Sequence, residues 1–137
     1  MTPSPDRNNR FGDWSAGADR LGDGVNGEIR PWGKFEILLR EPGIQVKRIE
    51  VTPGLRCSLQ KHKKRFEKWI VIQGSGLATL NKKEIPVKTG SYLDVPCGEI
   101  HRMKNTGKKP LVFIEVQFGK YLGEDDIVRL HDDFARV

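Results

Sequence analysis

The residues able to do chemistry fall into two spaced sets. One is Gly54-x5-Gln60-x-His62-x4-Glu67-x6-Gly74, and the other is Gly90-x5-Pro96-x-Gly98-x2-His101-x3-Asn105. They place a glutamine, two histidines and a glutamate on short segments framed by glycine and proline turns. Imidazole nitrogens together with amide and carboxylate oxygens suit a divalent cation of the zinc, iron(II), manganese, cobalt or nickel class. A lone histidine on a strand is more often a hydrogen-bonded structural residue. Two glycine-framed sets in register reverse that reading for His62 and His101. Gln60 is the weakest of the four, since a neutral amide can instead hydrogen-bond a substrate.

These residues must be held by strands. Alternating or β-branched runs predict strands over residues 35–39, 45–51, 55–62, 67–73, 76–80, 84–87, 91–95, 100–104 and 111–118. Nine short strands at intervals of about eight to twelve residues predict an all-β sandwich or barrel. Asn81-Lys82-Lys83 reads as a hairpin turn, and Arg30-Pro31-Trp32-Gly33 as a turn anchored in the core by Trp32. Residues 124–136 have helical character with an acidic start at 122–126, which predicts a short C-terminal helix. Residues 1–28 are rich in small and polar types, and Phe11, Trp14 and Leu21 show no period. They predict a disordered or loosely docked arm before a domain over 29–137. Within a strand, residues two apart share a face, so Ser58, Gln60 and His62 point one way and Glu67 points with Trp69 and Val71. His101 follows a Pro-x-Gly turn and closes the set.

With 137 residues the chain is expected to be one domain. No apolar run approaches the roughly 20 residues of a membrane span, and the first ten residues lack a signal-peptide core, which makes the cytoplasm the default expectation. Cys57 and Cys97 are expected to be reduced thiols. The net charge of +6 comes in short basic bursts without interleaved aromatics. That disfavours nucleic acid and fits either a solvated surface or a positive field around an anionic small molecule. The exposed edges of antiparallel sheets make a homodimer the expected assembly.

The two motifs resemble the paired motifs of the cupin superfamily. Arg30-Pro31-Trp32-Gly33, Val46-Lys47-Arg48, Ser58-Leu59-Gln60-x-His62, Arg65-x-Glu67-x-Trp69, Glu115-Val116-Gln117 and the run from Tyr121 to Arg129 occur in order. This set resembles the type II phosphomannose isomerase domain, usually the C-terminal part of bifunctional mannose-1-phosphate guanylyltransferase/mannose-6-phosphate isomerases. The resemblance runs from Arg30 to Arg129, about three-quarters of the chain. It implies the cupin double-stranded β-helix, a jelly-roll barrel. It also implies metal-dependent interconversion of mannose 6-phosphate and fructose 6-phosphate for GDP-mannose and polysaccharide supply. No glycine-rich phosphate loop leads into a helix, so the expectation is a free-standing isomerase domain.

Under this resemblance Gln60, His62, Glu67 and His101 hold the metal, with zinc the expected ion and cobalt, manganese, nickel or iron(II) open. Lys47, Glu115 and Arg129 are the expected catalytic set, with Lys47, Glu115 or a water on the metal as base. Arg65, Lys64 and Gln117 are expected to bind substrate, Arg65 with Lys47 and Arg129 on its phosphate or hydroxyls, and Gln117, on one strand face with Glu115, on sugar hydroxyls. Blander roles stay open: Arg129 pinning the C-terminal helix through Asp125 or Asp126, Lys47 pairing with Glu115, and His131 merely exposed. The chain departs from the family at Lys63-Lys64 and Lys68, where histidines are usual. The alternative functions are a non-catalytic metal- or sugar-binding module and a different metal-dependent cupin enzyme.

Overall fold

A computed structural model describes residues 27–135, which form eleven strands and no helix. The strands make two antiparallel sheets. The six-stranded sheet has the order β1 (Gly27–Arg30), β2 (Gly33–Glu41), β3 (Ile44–Val51), β10 (Leu111–Phe118), β5 (Phe66–Gln73) and β8 (Tyr92–Val95). The five-stranded sheet has the order β11 (Val128–His131), β4 (Leu59–Lys61), β9 (His101–Asn105), β6 (Ser75–Leu80) and β7 (Lys83–Lys88). Most of the expected arm lies outside the described residues, and its last two positions, Gly27 and Glu28, open β1.

The inward faces change character along their length. On β3 the buried positions are Gln45, Lys47, Ile49 and Val51, and on β10 they include Leu111, Phe113, Glu115 and Gln117. Register aligns the polar ends. Glu115 stands opposite Lys47 on one side and Trp69 on the other, and Gln117 stands between Gln45 and Glu67. One end of the barrel is therefore filled by Val51, Trp69, Val71, Met103, Leu111 and Phe113. The other end collects buried polar groups, which is the arrangement a site requires.

Two expectations need correction. The C-terminal helix is absent among the described residues. Val128–His131 is instead strand β11, antiparallel to β4. Without it β4 would offer an open edge, so tertiary pairing overrides weak helical propensity. The acidic residue expected to start the helix, Asp126, accepts hydrogen bonds from the backbone amides of Lys63 and Lys64. The strand expected over 55–62 shrinks to Leu59–Lys61, with Arg56 contributing one bridge to Lys104. Among the described residues no helix is long and apolar enough to cross a membrane.

The turns follow the motif glycines. Gly54, Gly74, Gly90 and Gly98 all have φ between 81° and 93°, where side chains other than glycine are strained. A Cβ on Gly74 would also lie 2.9 Å from the carbonyl oxygen of Pro110, whereas one on Gly54 would meet nothing within 4 Å. Gly74→Ala is expected to cost about 1–3 kcal/mol and Gly54→Ala about 1 kcal/mol. Urea unfolding of both variants checks the order, and equal costs would contradict it.

Candidate metal centre and adjoining pocket

His62 follows β4, Glu67 lies near the start of β5 and His101 opens β9. One donor atom from each falls within 4.8 Å of the others, and all three residues are buried. His62 Nε2 is 3.4 Å from Glu67 Oε2, and His101 Nε2 is 4.0 Å from Glu67 Oε1. The opposite ring nitrogens face carbonyls: His62 Nδ1 lies 2.6 Å from the Asp126 oxygen and His101 Nδ1 2.9 Å from the Glu99 oxygen. A carbonyl only accepts, so each ring keeps its proton on Nδ1 and turns the Nε2 lone pair toward Glu67. Burial, aided by Arg65 and His101, pushes the His62 pKa down to about 4, so this imidazole is neutral near pH 7. Two imidazoles and a carboxylate whose donor atoms converge fit a divalent cation. Gln60 is paired with His101 across β4 and β9, and its amide nitrogen has only a long 3.4 Å contact to the Ser58 carbonyl.

Glu67 is deeply buried. It accepts hydrogen bonds from Arg65 Nε at 2.8 Å and Trp69 Nε1 at 2.9 Å. Burial favours its protonated form, but the charges of His101 and then Arg65, with hydrogen bonds from Glu115 and Trp69, hold its pKa below the usual value. Arg65 also reaches His62 Nε2 through Nη2 at 3.1 Å, while its Nη1 is buried without a hydrogen-bond partner. A cavity of about 90 Å³ opens beside this cluster, and Ser58, Gln60, His62, His101, Arg65, Lys47, Glu115, Glu124 and Arg129 line it. Burial and the nearby charge of Glu67 raise the Glu115 pKa to about 7. Lys47 Nζ lies 4.1 Å from the centre of the Phe35 ring and pairs with Glu124.

Most of the expected site residues thus meet around one space: Gln60, His62 and His101 with Lys47, Arg65, Glu115 and Arg129, and Glu67 bonded to Arg65. Two do not line it. Gln117 donates to Glu115 and accepts from Gln45, which accepts from Arg40, so it belongs to a buried amide chain behind the cavity wall. Lys64 is exposed, with Nζ 4.7 Å from the centre of the Tyr121 ring. Lys63 is likewise exposed, and Lys68 bonds Tyr92 and Asp94 on the outer face. Sequence reasoning missed Glu124 and the two carbonyls that orient the histidines. The acidic run 124–126 was the available signal, and it reads equally well as a helix start. Cys57 and Cys97 are both free.

The family model described as Mannose-6-phosphate isomerase C-terminal matches residues 24–132. The chain belongs to this family. It is 46% identical over 108 residues to the xanthan biosynthesis protein XanB of Xanthomonas campestris pv. campestris, covering 79% of this chain and 23% of that protein. It is 45% identical over 108 residues to the alginate biosynthesis protein AlgA of Pseudomonas aeruginosa, covering 79% of this chain and 22% of that protein. The chain therefore spans less than a quarter of the length of these relatives. Among solved structures, the capsular polysaccharide assembling protein CapF of Staphylococcus aureus superposes with a TM-score of 0.69 at 22% identity, covering 78% of this chain and 34% of that one. The cupin domain of Schizosaccharomyces pombe Cnp3 superposes with a TM-score of 0.63 at 22% identity, covering 67% and 68%. These likenesses carry the fold, a cupin double-stranded β-helix.

The carboxyl of Glu115 gives a testable pH dependence. In the folded protein it keeps its proton up to about pH 7, against an ordinary value of 4.5. Between those values the native state binds the extra proton, so stability falls as pH rises. In urea unfolding of chelator-treated protein, Glu115→Gln is expected to flatten this decline. An unchanged slope would show that Glu115 titrates normally.

Proposed function

We propose that the chain is a metal-dependent isomerase that interconverts mannose 6-phosphate and fructose 6-phosphate. The observation that carries this reading is geometric: donor atoms of His62, Glu67 and His101 fall within 4.8 Å of one another beside a cavity that the Glu115 carboxyl and Lys47 also line. Aldose–ketose isomerisation moves a proton between C2 and C1 of the sugar, and a base is most effective when its pKa lies near the working pH. Held by His62, Glu67, His101 and Gln60, a divalent cation, with zinc the first expectation, supplies Lewis-acid stabilisation of charge developing on the sugar oxygens. Glu115 takes the proton from one carbon and returns it to the other, while a hydroxyl proton passes between O2 and O1 in the opposite sense to the carbonyl, so the exchange balances. Gln117, donating to Glu115, fixes which carboxyl oxygen faces the cavity. Lys47, Arg65 and Arg129 supply the positive charge that holds an anionic substrate.

The three lysines standing at usual histidine positions all lie away from the cavity, which supports catalysis over a binding-only module. In this reading the protein supplies mannose phosphates for GDP-mannose and polysaccharide synthesis in the cytoplasm, as a homodimer.

A coupled assay for fructose 6-phosphate tests the reading, using protein stripped of metal and reloaded separately with zinc, cobalt, manganese, nickel and iron(II). Turnover is expected with at least one ion. Glu115→Gln is expected to retain the metal and lose about 10²–10⁴-fold in turnover, whereas His101→Ala loses metal and turnover together. No turnover with any ion at confirmed occupancy would overturn the isomerase and leave the binding module.

A further inference from the structure

The mouth of the cavity holds an anion that the protein supplies itself. Residues 120–127 form a strap that links β10 to β11, and its Glu124 and Ile127 line the cavity. The strap is fastened at Asp126, whose carboxylate accepts from the backbone amides of Lys63 and Lys64 at 3.0 Å each and whose carbonyl faces His62 Nδ1. Two residues earlier, Glu124 pairs with Lys47. The Lys47 side chain is 4% exposed and that of Glu124 is 44% exposed. Burial works against charge on Glu124, yet Lys47, Arg65 and Arg30 outweigh it and keep the carboxylate ionised below its ordinary pKa.

Lys47 from β3 bonds this carboxylate, while Arg65 from the turn before β5 and Arg30 from β1 act on it through their charge. The recess also has a donor to spare, since Arg65 Nη1 is buried without a partner. As it stands, a cavity of about 90 Å³ is well below the roughly 300–1,000 Å³ of small-molecule sites. Moving one lining side chain aside would enlarge it toward that range. Glu124 can leave, because it is half exposed and the strap is anchored independently at Asp126.

We propose that Glu124 occupies the seat of the substrate's phosphate, and that a phosphomonoester dianion binds by displacing its carboxylate from Lys47 and engaging Arg65. The choice of sugar rests on the isomerase reading, but the anion seat does not. The exchange makes the site selective. A neutral sugar has no group that can take the ammonium from Glu124, whereas a phosphate brings more charge and more acceptor oxygens than the carboxylate it replaces. Without Glu124 the buried ammonium of Lys47 loses its partner and favours any incoming anion.

Isothermal titration of the full chain with inorganic phosphate, mannose 6-phosphate and mannose tests this. Glu124→Gln is expected to tighten phosphate and mannose 6-phosphate by about 5–10-fold, a shift of about 1–1.4 kcal/mol, and to leave mannose unchanged. Adding Lys47→Gln is expected to abolish the gain, with thermal unfolding confirming that both variants fold. Unchanged or weakened phosphate binding in folded Glu124→Gln would overturn the proposal, as would a gain that survives Lys47→Gln. If Lys47→Gln does not fold, Lys47→Met, neutral and of similar length, is the second variant and is likewise expected to abolish the gain. Tightening without turnover would keep the anion seat and remove the isomerase. Turnover with unchanged phosphate affinity would do the reverse.

Discussion

A carboxylate with 1% of its side chain exposed has to be paired or lose its charge, and Glu67 organises one end of the barrel for that reason. Arg65 and Trp69 donate to its two oxygens. The two imidazoles turn their lone-pair nitrogens toward it, which they can do only because backbone carbonyls hold their other nitrogens. Burial first, and then the charge of Glu67 beside it, make Glu115 keep its proton to a higher pH. Gln117 and Gln45 then satisfy Glu115 from behind. The strap is part of the same arrangement, since the carbonyl that orients His62 belongs to Asp126. Each neighbour of Glu67 is thus constrained by a contact one step further out.

Much of this was legible in the chain because strand parity and turn chemistry are local rules. The framing glycines mark backbone with positive φ. Counting by twos placed Gln60 with His62 and Glu67 with Trp69. The C-terminal segment was not legible. A short run such as Val128-Arg129-Leu130-His131 carries no decisive period, and only the open edge of β4 makes it a strand. Glu124 and Asp126 were hidden for a related reason. Their partners, Lys47 and the amides of Lys63 and Lys64, lie about sixty to eighty residues away in sequence and are set by topology. Gln117 was placed correctly by face, but depth along that face puts it behind Glu115.

The division of labour follows from the gradient along the inward faces. At the end packed by Trp69, Met103 and Phe113, side chains interlock and set the register. At the other end the same strands carry charges at positions the register dictates. Departures from the family's usual histidines fall at Lys63, Lys64 and Lys68, all on the outside, so they leave the interior arrangement intact. Such a concentration of buried charge is expensive without a counter-ion, and a cation bound by the folded state alone would stabilise the fold in proportion to its affinity.

The central claim is that His62 and His101 are locked as Nδ1-protonated rings whose Nε2 atoms share one cation with Glu67. Long-range nitrogen–proton NMR of the histidine rings, recorded before and after adding zinc, tests it most directly. Both rings are expected to show Nδ1–H tautomers near pH 7, with zinc moving their Nε2 resonances together and leaving His131 unmoved. Zinc shifts at Nδ1, or no shift at either buried ring, would contradict the shared site.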